Sequence, residues 1–452
     1  MPQLRDSGNH STAPLDAHTK DEIQSFARIF GIETEYGVSV TGSDRPCDAG
    51  QTAMMMFQPI VAEARSTNTY IENGSRLYLD VGSHPEYATA EARDPMDALA
   101  LDAAGELVMR DLALDAQRRL RSIQGAGSTV HVFKNNVDSA GHSFGCHENY
   151  LVRRFVPLKT IEQELLPFLI TRQLFTGAGR MGEQGFQITQ RADFLDEAVS
   201  SATTRSRPMV NTRDEPHADP DSFRRLHVII GDSNRSQWST WMKLAVTHLV
   251  LCAIEDAFRH GVPSGFEQYA FADPAAANRT VSRFLDNPRA ELTLESGESV
   301  SALGLQRRYY AAVKAFIETH GDALASSLPA TTIDTIMGEW SRVLDALERG
   351  AYDALADRVD WAAKKRLFDA LKRRRPDVTF AQMEQLELDY HDIANGRLYG
   401  SLVARNQMRE LLTGDNVEYA VHNPPTDTRA ALRGRFVDAA LNVGAQFSAD
   451  WT

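Results

Sequence analysis

The chain has 452 residues, of which 42% are hydrophobic, and a formal net charge of −13 at pH 7. This length is sufficient for a large globular core with a smaller second domain. The negative charge argues against nucleic acid as the main partner, because phosphate binding requires a basic face. The sequence contains no run of 18 apolar residues, so it predicts no membrane-spanning helix. The three cysteines form no Cys-x-x-Cys motif, which indicates a reducing compartment rather than a disulfide framework.

Residues 1–27 mix charged residues, proline and serine without the apolar centre of a signal peptide. They predict a disordered N-terminal extension on a cytoplasmic protein. Alternating segments bounded by Gly, Asn, Asp and Pro then predict strands at 29–40, 76–81, 129–135, 185–191 and 224–231. Helical spacing of apolar residues predicts helices at 239–261, 303–320, 331–349 and 352–374. Strands followed by helices indicate an α+β fold.

Four of the predicted strands have one apolar face and one face rich in reactive polar groups. Because side chains alternate along a strand, Glu33 and Glu35 share a face in RIFGIETEYGVSV. By the same rule, the polar faces of the other three strands carry Arg76, Tyr78 and Asp80; Arg225 and His227; and Gln187, Thr189 and Arg191. A half-solvated sheet explains any one of these strands. Two acids on one strand and an Arg/Tyr/Asp set on another favour a functional site.

These groups suit phosphate chemistry. Carboxylates without thiolates or clustered imidazoles are ligands for Mg²⁺. The candidate ligands are Glu33, Glu35 and Glu86, with Tyr78 or His227 completing the set. Arginines beside such a site bind phosphate, and the absence of a P-loop or G-x-G-x-x-G motif indicates a nucleotide bound on an open sheet. The combination predicts phosphoryl transfer. Asp80 is then a candidate general base, although a single Asp on a strand is more often structural.

Three further segments leave alternatives open. TTRSRPMVNTRDEPHAD, residues 203–219, suits an ordered loop over an active site or a salt-bridged surface loop. GCHENYLV, residues 145–152, is more typical of a loop than of a metal-binding His/Glu pair. KKRLFDALKRRR, residues 364–375, is the basic end of a predicted helix, or a docking site for an acidic partner.

Long blocks of the sequence carry a resemblance to a known family. FGIETEYGV, NGSRLYLDVGSHPEYATAE, FKNNVDSAGHSFGCHENYL, RRLHVIIGDSN and NPPTDTRAALRG resemble the Pup–protein ligases of the Pup ligase/Pup deamidase family. That family belongs to the carboxylate-amine ligase superfamily, which includes glutamine synthetase. The resemblance extends from about Arg28 to Trp451. It implies a catalytic domain at 28–395, with a curved antiparallel sheet packed by helices, and a small C-terminal domain at 396–452. Whether that small domain is truncated here stays open, because ligases of this family usually continue beyond the position of Trp451.

The resemblance also implies an activity. Ligases of this family use ATP to phosphorylate the γ-carboxylate of the C-terminal glutamate of Pup, a small acidic disordered protein. A lysine of a protein substrate then attacks the γ-glutamyl phosphate, and the isopeptide bond marks that protein for the proteasome. Neither nucleic acid nor a membrane takes part. The motif matches place the functional positions as follows: Glu33, Tyr78 and Glu86 for magnesium; Arg76, Thr89 and Trp451 for ATP; and Asp80 as the catalytic base.

Two alternatives accompany the ligase interpretation. The Pup deamidase/depupylase shares the fold and the two-glutamate strand, and the segment GAGRMGEQGFQITQR reads somewhat like that enzyme. The short segment between Val40 and Asn73 favours the ligase, because the depupylase carries a long insertion there. The second alternative is a catalytically weak Pup-binding homologue.

Overall fold

The structure is a computed structural model that describes residues 24–80, 82, 84–138, 141–201, 207–213, 215 and 217–451. Most of the predicted disordered extension lies outside these ranges, so its disorder stays a prediction. Phe26 falls within that extension and is buried, with its ring edge-on to Phe316 at 5.7 Å between centroids. The packed part of the chain therefore begins before Arg28.

The strands of the described residues are, in chain order, β1 (Phe30–Glu35), β2 (Gly37–Thr41), β3 (Asn68–Tyr70), β4 (Arg76–Leu79), β5 (Pro85–Ala88), β6 (Thr129–Phe133), β7 (Cys146–Arg153), β8 (Arg180–Gly182), β9 (Gly185–Gln187), β10 (Glu197–Ser200), β11 (Pro208–Asn211), β12 (Phe223–Val228), β13 (Glu291–Thr293) and β14 (Ser299–Ser301).

The α-helices of the same residues are α1 (Ala49–Ala64), α2 (Pro95–Gln124), α3 (Leu158–Thr160), α4 (Leu166–Thr171), α5 (Gln173–Thr176), α6 (Gln237–His260), α7 (Pro274–Ser282), α8 (Ala302–Leu324), α9 (Ala330–Glu348), α10 (Asp360–Arg374), α11 (Phe380–His391), α12 (Leu398–Ala404), α13 (Gly414–His422) and α14 (Ala430–Asn442). A π-helical turn, Ile161–Leu165, joins α3 to α4.

Eight strands form the main sheet in the order β10-β11-β12-β7-β1-β5-β4-β3. Neighbours are antiparallel except for β10 and β11, which are parallel. The first strand of the sheet in sequence thus lies near its centre, between β7 and β5. A large antiparallel sheet covered by helices confirms the predicted α+β class.

Helices cover the apolar face of this sheet. Ile32, Leu77 and Leu226 are buried in the hydrophobic core, as the alternation predicts. Helix α2 starts where the Asp94 side chain accepts a hydrogen bond from the Met96 amide. Helix α6 starts at Ser236 and ends at Gly261, whose φ of 64° permits the left-handed cap. With one face covered in this way, the polar face remains available for a site.

Three sequence predictions are wrong in detail. The strand predicted at 185–191 is only β9, and it pairs with β8 outside the main sheet. Gln187 and Thr189 instead bond to the Ser282 hydroxyl, so they do not join the polar face. The loop favoured at 145–152 is strand β7, because its apolar residues alternate into the core. The helix predicted at 352–374 begins at Asp360, after a 3₁₀ turn at Tyr352–Leu355.

The C-terminal helices pack against the body of the protein. Helix α13 contacts α2, and the Asn73 amide donates to the Ala420 carbonyl at 2.8 Å. Helix α14 lies on the turn before β4, where Gly74 has a φ of 79° and Ala430 approaches closely. The boundary between residues 395 and 396 stays a prediction. Within the described ranges, no helix has the length and apolar character needed to cross a membrane.

A buried ion-pair cluster holds β7 to helix α6. Arg28 and Arg153 both donate to Glu255, at 2.8 and 3.0 Å, and all three side chains are at most 1% exposed. Burial favours the neutral acid, but the two arginines outweigh it and lower the pKa of Glu255 from 4.5 to about 2. The carboxylate therefore stays charged down to about pH 2, below the pH at which an ordinary glutamate takes up its proton.

Replacement of this carboxylate should destabilise the fold. We expect Glu255→Gln to lower the free energy of unfolding at pH 7 by about 3 kcal/mol, because two buried guanidinium groups lose their counter-charge. A folded-state pKa below the unfolded value means that this stability is present above pH 4.5 and is lost as the pH falls towards 2. The difference between the variant and the wild type should therefore shrink over that window in urea titrations.

The matched control is Glu348→Gln, since Glu348 pairs with Arg307 at the surface and its side chain is 57% exposed. It should change stability by less than about 1 kcal/mol. Equal effects of the two variants, or a difference that does not depend on pH, would contradict the role of the buried cluster.

Candidate active site

The strand register brings the predicted acidic residues onto one face of the sheet. Glu35 of β1 lies directly opposite Glu86 of β5, and Glu86 lies opposite Tyr78 of β4. Glu33 lies opposite His147 of β7. Directly opposite residues in an antiparallel pair project to the same side. Four adjacent strands therefore present their polar groups to a common space.

One half of this face is acidic. Carboxylate oxygens of Glu35, Asp80 and Glu86 lie within 4.8 Å of one another. The Tyr78 hydroxyl donates a hydrogen bond to Glu86. Among the described residues, no basic side chain forms an ion pair with Asp80 or Glu86. Burial, followed by the charges of Glu35 and Glu33, raises the pKa of Glu86 well above its ordinary value. This cluster therefore has an excess of negative charge that a bound cation would neutralise.

The other half is basic and centres on Glu33. Arg225 donates to this carboxylate at 3.2 Å, Asn149 donates at 3.2 Å, and the His147 Nδ1 lies 3.4 Å from it. Burial favours the neutral form of Glu33, but His227, His147 and Arg225 outweigh it and lower its pKa. Burial also lowers the pKa of His227 to about 3, so this imidazole is neutral at pH 7. A neutral ring nitrogen can coordinate a metal ion.

Two adjoining cavities open above the sheet. The first, of about 410 Å³, has a mainly apolar lining that includes Ile29, Leu151 and Phe223, together with Thr89 and several charged side chains such as Glu91. The second, of about 330 Å³, contains the acidic cluster, Arg76 and the basic residues of β12. Glu33 and Trp451 line both cavities. An apolar compartment that opens into a charged one suits a ligand with an apolar ring and anionic groups.

The residues implied by the resemblance all border these cavities. Thr89 lines the first cavity, and its hydroxyl accepts a hydrogen bond from the Ile32 amide at 3.0 Å. The others line the second cavity: Glu33, Arg76, Tyr78, Asp80, Glu86 and Trp451. The guanidinium of Arg76 lies over the Tyr78 ring, 4.6 Å from its centroid. The structure thus brings the seven positions together, while their roles stay predictions.

The sequence argument missed the contribution of β7. His147 and Asn149 face the same space as Glu33, although the segment around them favoured a loop. The available signal was the alternation of His147 and Asn149 with the buried Cys146, Glu148 and Tyr150. Of the polar segment at 203–219, Arg213, Glu215 and His217 line the second cavity. This agrees with the first of the two alternatives, an ordered loop over the site, although Pro208–Asn211 within the segment form strand β11.

An open sheet with a carboxylate cluster beside arginines is typical of the class of proteins whose site suits a hard cation and a phosphorylated ligand. Comparison with known sequences gives the particular family. The model of the Pup-ligase protein family matches residues 28–452. The chain is 88% identical over all 452 residues to a Pup–protein ligase of Bifidobacterium longum (strain NCC 2705), of which it covers 93%. The chain therefore belongs to the Pup-ligase family.

Two solved structures have the same fold. One is the complex between the prokaryotic ubiquitin-like protein Pup and its ligase PafA, with a TM-score of 0.87, 38% identity, and coverage of 95% of this chain and 87% of that one. The other is the Pup ligase PafA in complex with ADP, with a TM-score of 0.76 and 36% identity, covering 100% of this chain and 90% of that one. The likeness extends over both cavities, because it spans almost the whole chain.

The crowding of acids predicts a stabilising substitution. Without divalent cations, we expect Glu86→Gln to raise the melting temperature, because it removes a buried group that favours its neutral form. Since the pKa of Glu86 is higher in the folded state than its ordinary 4.5, the native protein retains a proton that the unfolded chain releases. The contribution of Glu86 to the free energy of unfolding therefore falls as the pH rises above 4.5. The difference in melting temperature between Glu86→Gln and the wild type should grow over the same range.

Thermal unfolding in a chelating buffer at several pH values measures this effect. Glu91→Gln is the contrasting variant, because Glu91 forms an ion pair with the buried Arg433 and its loss should lower the melting temperature. A lower melting temperature for Glu86→Gln at pH 8 would show that the acidic cluster is not repulsive.

Proposed function

We propose that this chain is an ATP-dependent Pup–protein ligase. It joins the γ-carboxylate of the C-terminal glutamate of Pup to lysine side chains of other proteins through a γ-glutamyl phosphate, and so marks them for proteasomal degradation in the cytoplasm. The observation that carries this proposal is identity of 88% to a Pup–protein ligase over the entire chain. The two solved relatives, one with Pup and one with ADP, support the same partner and the same class of nucleotide.

The two cavities fit the two ends of ATP. The apolar cavity of about 410 Å³ suits the base and ribose, with Thr89 and Trp451 as contacts. The adjoining charged cavity suits the phosphates, which would lie beside Arg76 and Arg225. Arginine guanidinium groups bind phosphate oxygens through charge-assisted hydrogen bonds. In this arrangement the terminal phosphate would lie close to the acidic cluster.

The donor set fits Mg²⁺. Glu33, Tyr78 and Glu86 would supply oxygen ligands, and the excess negative charge of the acidic cluster is of the sign that a cation neutralises. A second group of donors, formed by Glu33, His147 and His227, lies within 4.8 Å. Two such groups support more than one cation, with Glu35 as an additional ligand. Bound Mg²⁺ would neutralise phosphate charge as the phosphoryl group is transferred.

The chemistry requires two bond exchanges. A γ-carboxylate oxygen of Pup attacks the terminal phosphorus of ATP, which forms the acyl phosphate and releases ADP. The lysine nitrogen then attacks the acyl carbon, the carbon–oxygen bond to phosphate breaks, and phosphate leaves. The attacking amine must lose a proton, and Asp80 lies at the end of β4 in the charged cavity, where it can accept that proton. The framework of the sheet holds these groups in position.

A direct assay tests the proposed function. The protein is incubated with ATP, Mg²⁺, Pup ending in glutamate and a lysine-bearing protein, and conjugates are measured by mass spectrometry. We expect an isopeptide bond, ADP release, and loss of both on addition of EDTA. Cleavage of a preformed conjugate, or Pup binding without either reaction, would overturn the ligase assignment.

Asp80 provides a sharper prediction. We expect Asp80→Asn to reduce conjugation at least about 100-fold, because an amide cannot accept the proton of the lysine amine. ADP affinity, measured by calorimetry, should change by less than about twofold, since a neutral side chain of the same size leaves the nucleotide contacts in place.

The control for this variant is Asp377→Asn, because Asp377 is an exposed carboxylate outside both cavities. It should conjugate Pup at the wild-type rate. Full activity of Asp80→Asn would exclude the general-base role, whereas loss of ADP binding would indicate that Asp80 acts on the nucleotide or its cation.

A further inference from the structure

The side chain of Trp451 is fixed by a buried arginine. The Arg433 guanidinium carbon lies 4.8 Å from the centroid of the Trp451 ring and 5.1 Å from the centroid of the Tyr70 ring. The two rings are nearly perpendicular, with 5.1 Å between their centroids. Arg433 therefore contacts both aromatic faces, and a cation held over two rings restricts how either ring can turn.

The position of Arg433 is itself determined by the body of the protein. Its Nε donates to the Gly74 carbonyl at 2.9 Å, and its two terminal nitrogens donate to the Glu91 carboxylate, one of them at 3.2 Å. Arg433 is 6% exposed, so this forked ion pair is shielded from water. Gly74 has a φ of 79°, and an added Cβ would meet Ala430 at 3.0 Å, so this contact requires glycine. Helix α14 thus docks at one defined depth.

Glu91 connects this arrangement to the apolar cavity. It lies three residues after the end of β5 and lines the same cavity as Thr89 and Trp451. Arg433 also approaches the Trp451 carbonyl, at 3.5 Å, so both the backbone and the ring of Trp451 contact the one guanidinium. The ring that borders the cavity is therefore held by helix α14 and by the segment after β5 that lines the cavity.

We propose that Arg433, held by Glu91, is a positioning residue that orients Trp451 against the nucleoside part of the nucleotide. This inference rests on the proposed function, because it assumes that the apolar cavity binds the nucleoside. With Arg433 in this role, nucleotide affinity depends on the docking of helix α14. Arg433 does not line either cavity, so its effect on the nucleotide must pass through the residues that it contacts.

Steady-state kinetics and ADP calorimetry on the full 452-residue chain test this proposal. We expect Arg433→Met to raise the KM for ATP and the Kd for ADP about three- to tenfold, the size of one aromatic contact, with kcat within about twofold of the wild type. Arg433→Lys should be intermediate, because a lysine ammonium keeps the charge but cannot make the forked contact with Glu91. Arg435→Met is the matched control: Arg435 is an exposed arginine on the same helix, and its loss should change neither constant.

A double-mutant cycle separates positioning from a general structural role. If Arg433 acts through Trp451, then Arg433→Met should cause no further loss of ADP affinity in a Trp451→Phe background. The fluorescence of Trp451, taken as the difference between wild type and Trp451→Phe, should become more accessible to acrylamide in Arg433→Met. Additive losses in the cycle, or an unchanged Trp451 signal, would overturn the proposal.

The proposed function and the positioning role of Arg433 can be disproved separately. A wild-type chain that binds no ADP would overturn the proposed function. A wild-type chain that binds ADP, together with an Arg433→Met variant that is folded and binds it equally well, would overturn only the positioning role. If Arg433→Met does not fold, the comparison of Arg433→Lys with Arg435→Met decides the same question.

Discussion

The central constraint on this fold is the mutual repulsion of carboxylates on one face of an open sheet. Glu35 and Glu86 project from two adjacent strands, and Asp80 joins them from the end of a third. Like charges at this separation cost free energy that flexible segments would relieve by moving apart. The acids stay close only because the strands that carry them are fixed from behind.

The strands are fixed by buried polar contacts as well as by apolar packing. On the covered face of β1, the Thr34 hydroxyl donates to Asp102 at 3.0 Å, and Asp102 pairs with Lys134 at 2.6 Å. On the covered face of β7, Glu148 pairs with Arg172 at 2.5 Å, and both side chains are at most 1% exposed. Buried pairs of this kind contribute little net stability but define register, because a slipped strand would leave a charge unpaired. They hold the catalytic face in one arrangement.

The sequence predicted the polar face well because strand alternation is a local property. Glu33, Tyr78, Asp80 and His227 could be assigned to it from spacing alone, and all four line the second cavity. Thr89 and Trp451 had no such signal, since their place in the site depends on contacts across the whole chain. Thr89 bonds to the Ile32 amide at the cavity, and Trp451 is held there by Arg433 of helix α14. Only the resemblance identified them.

The errors have a common cause. The segments around β7 and β9 both show alternating polar and apolar residues, yet β7 lies at the centre of the sheet and β9 lies outside it. Alternation reports that one face of a segment is buried, but not what buries it. Tertiary contacts decide that question: Gln187 finds Ser282, whereas His147 finds Glu33. The electrostatic surroundings of each glutamate of β1 then depend on the neighbouring strand: β7 places His147 opposite Glu33, and β5 places Glu86 opposite Glu35. The acidic centre is therefore a property of the assembled sheet and not of β1 alone.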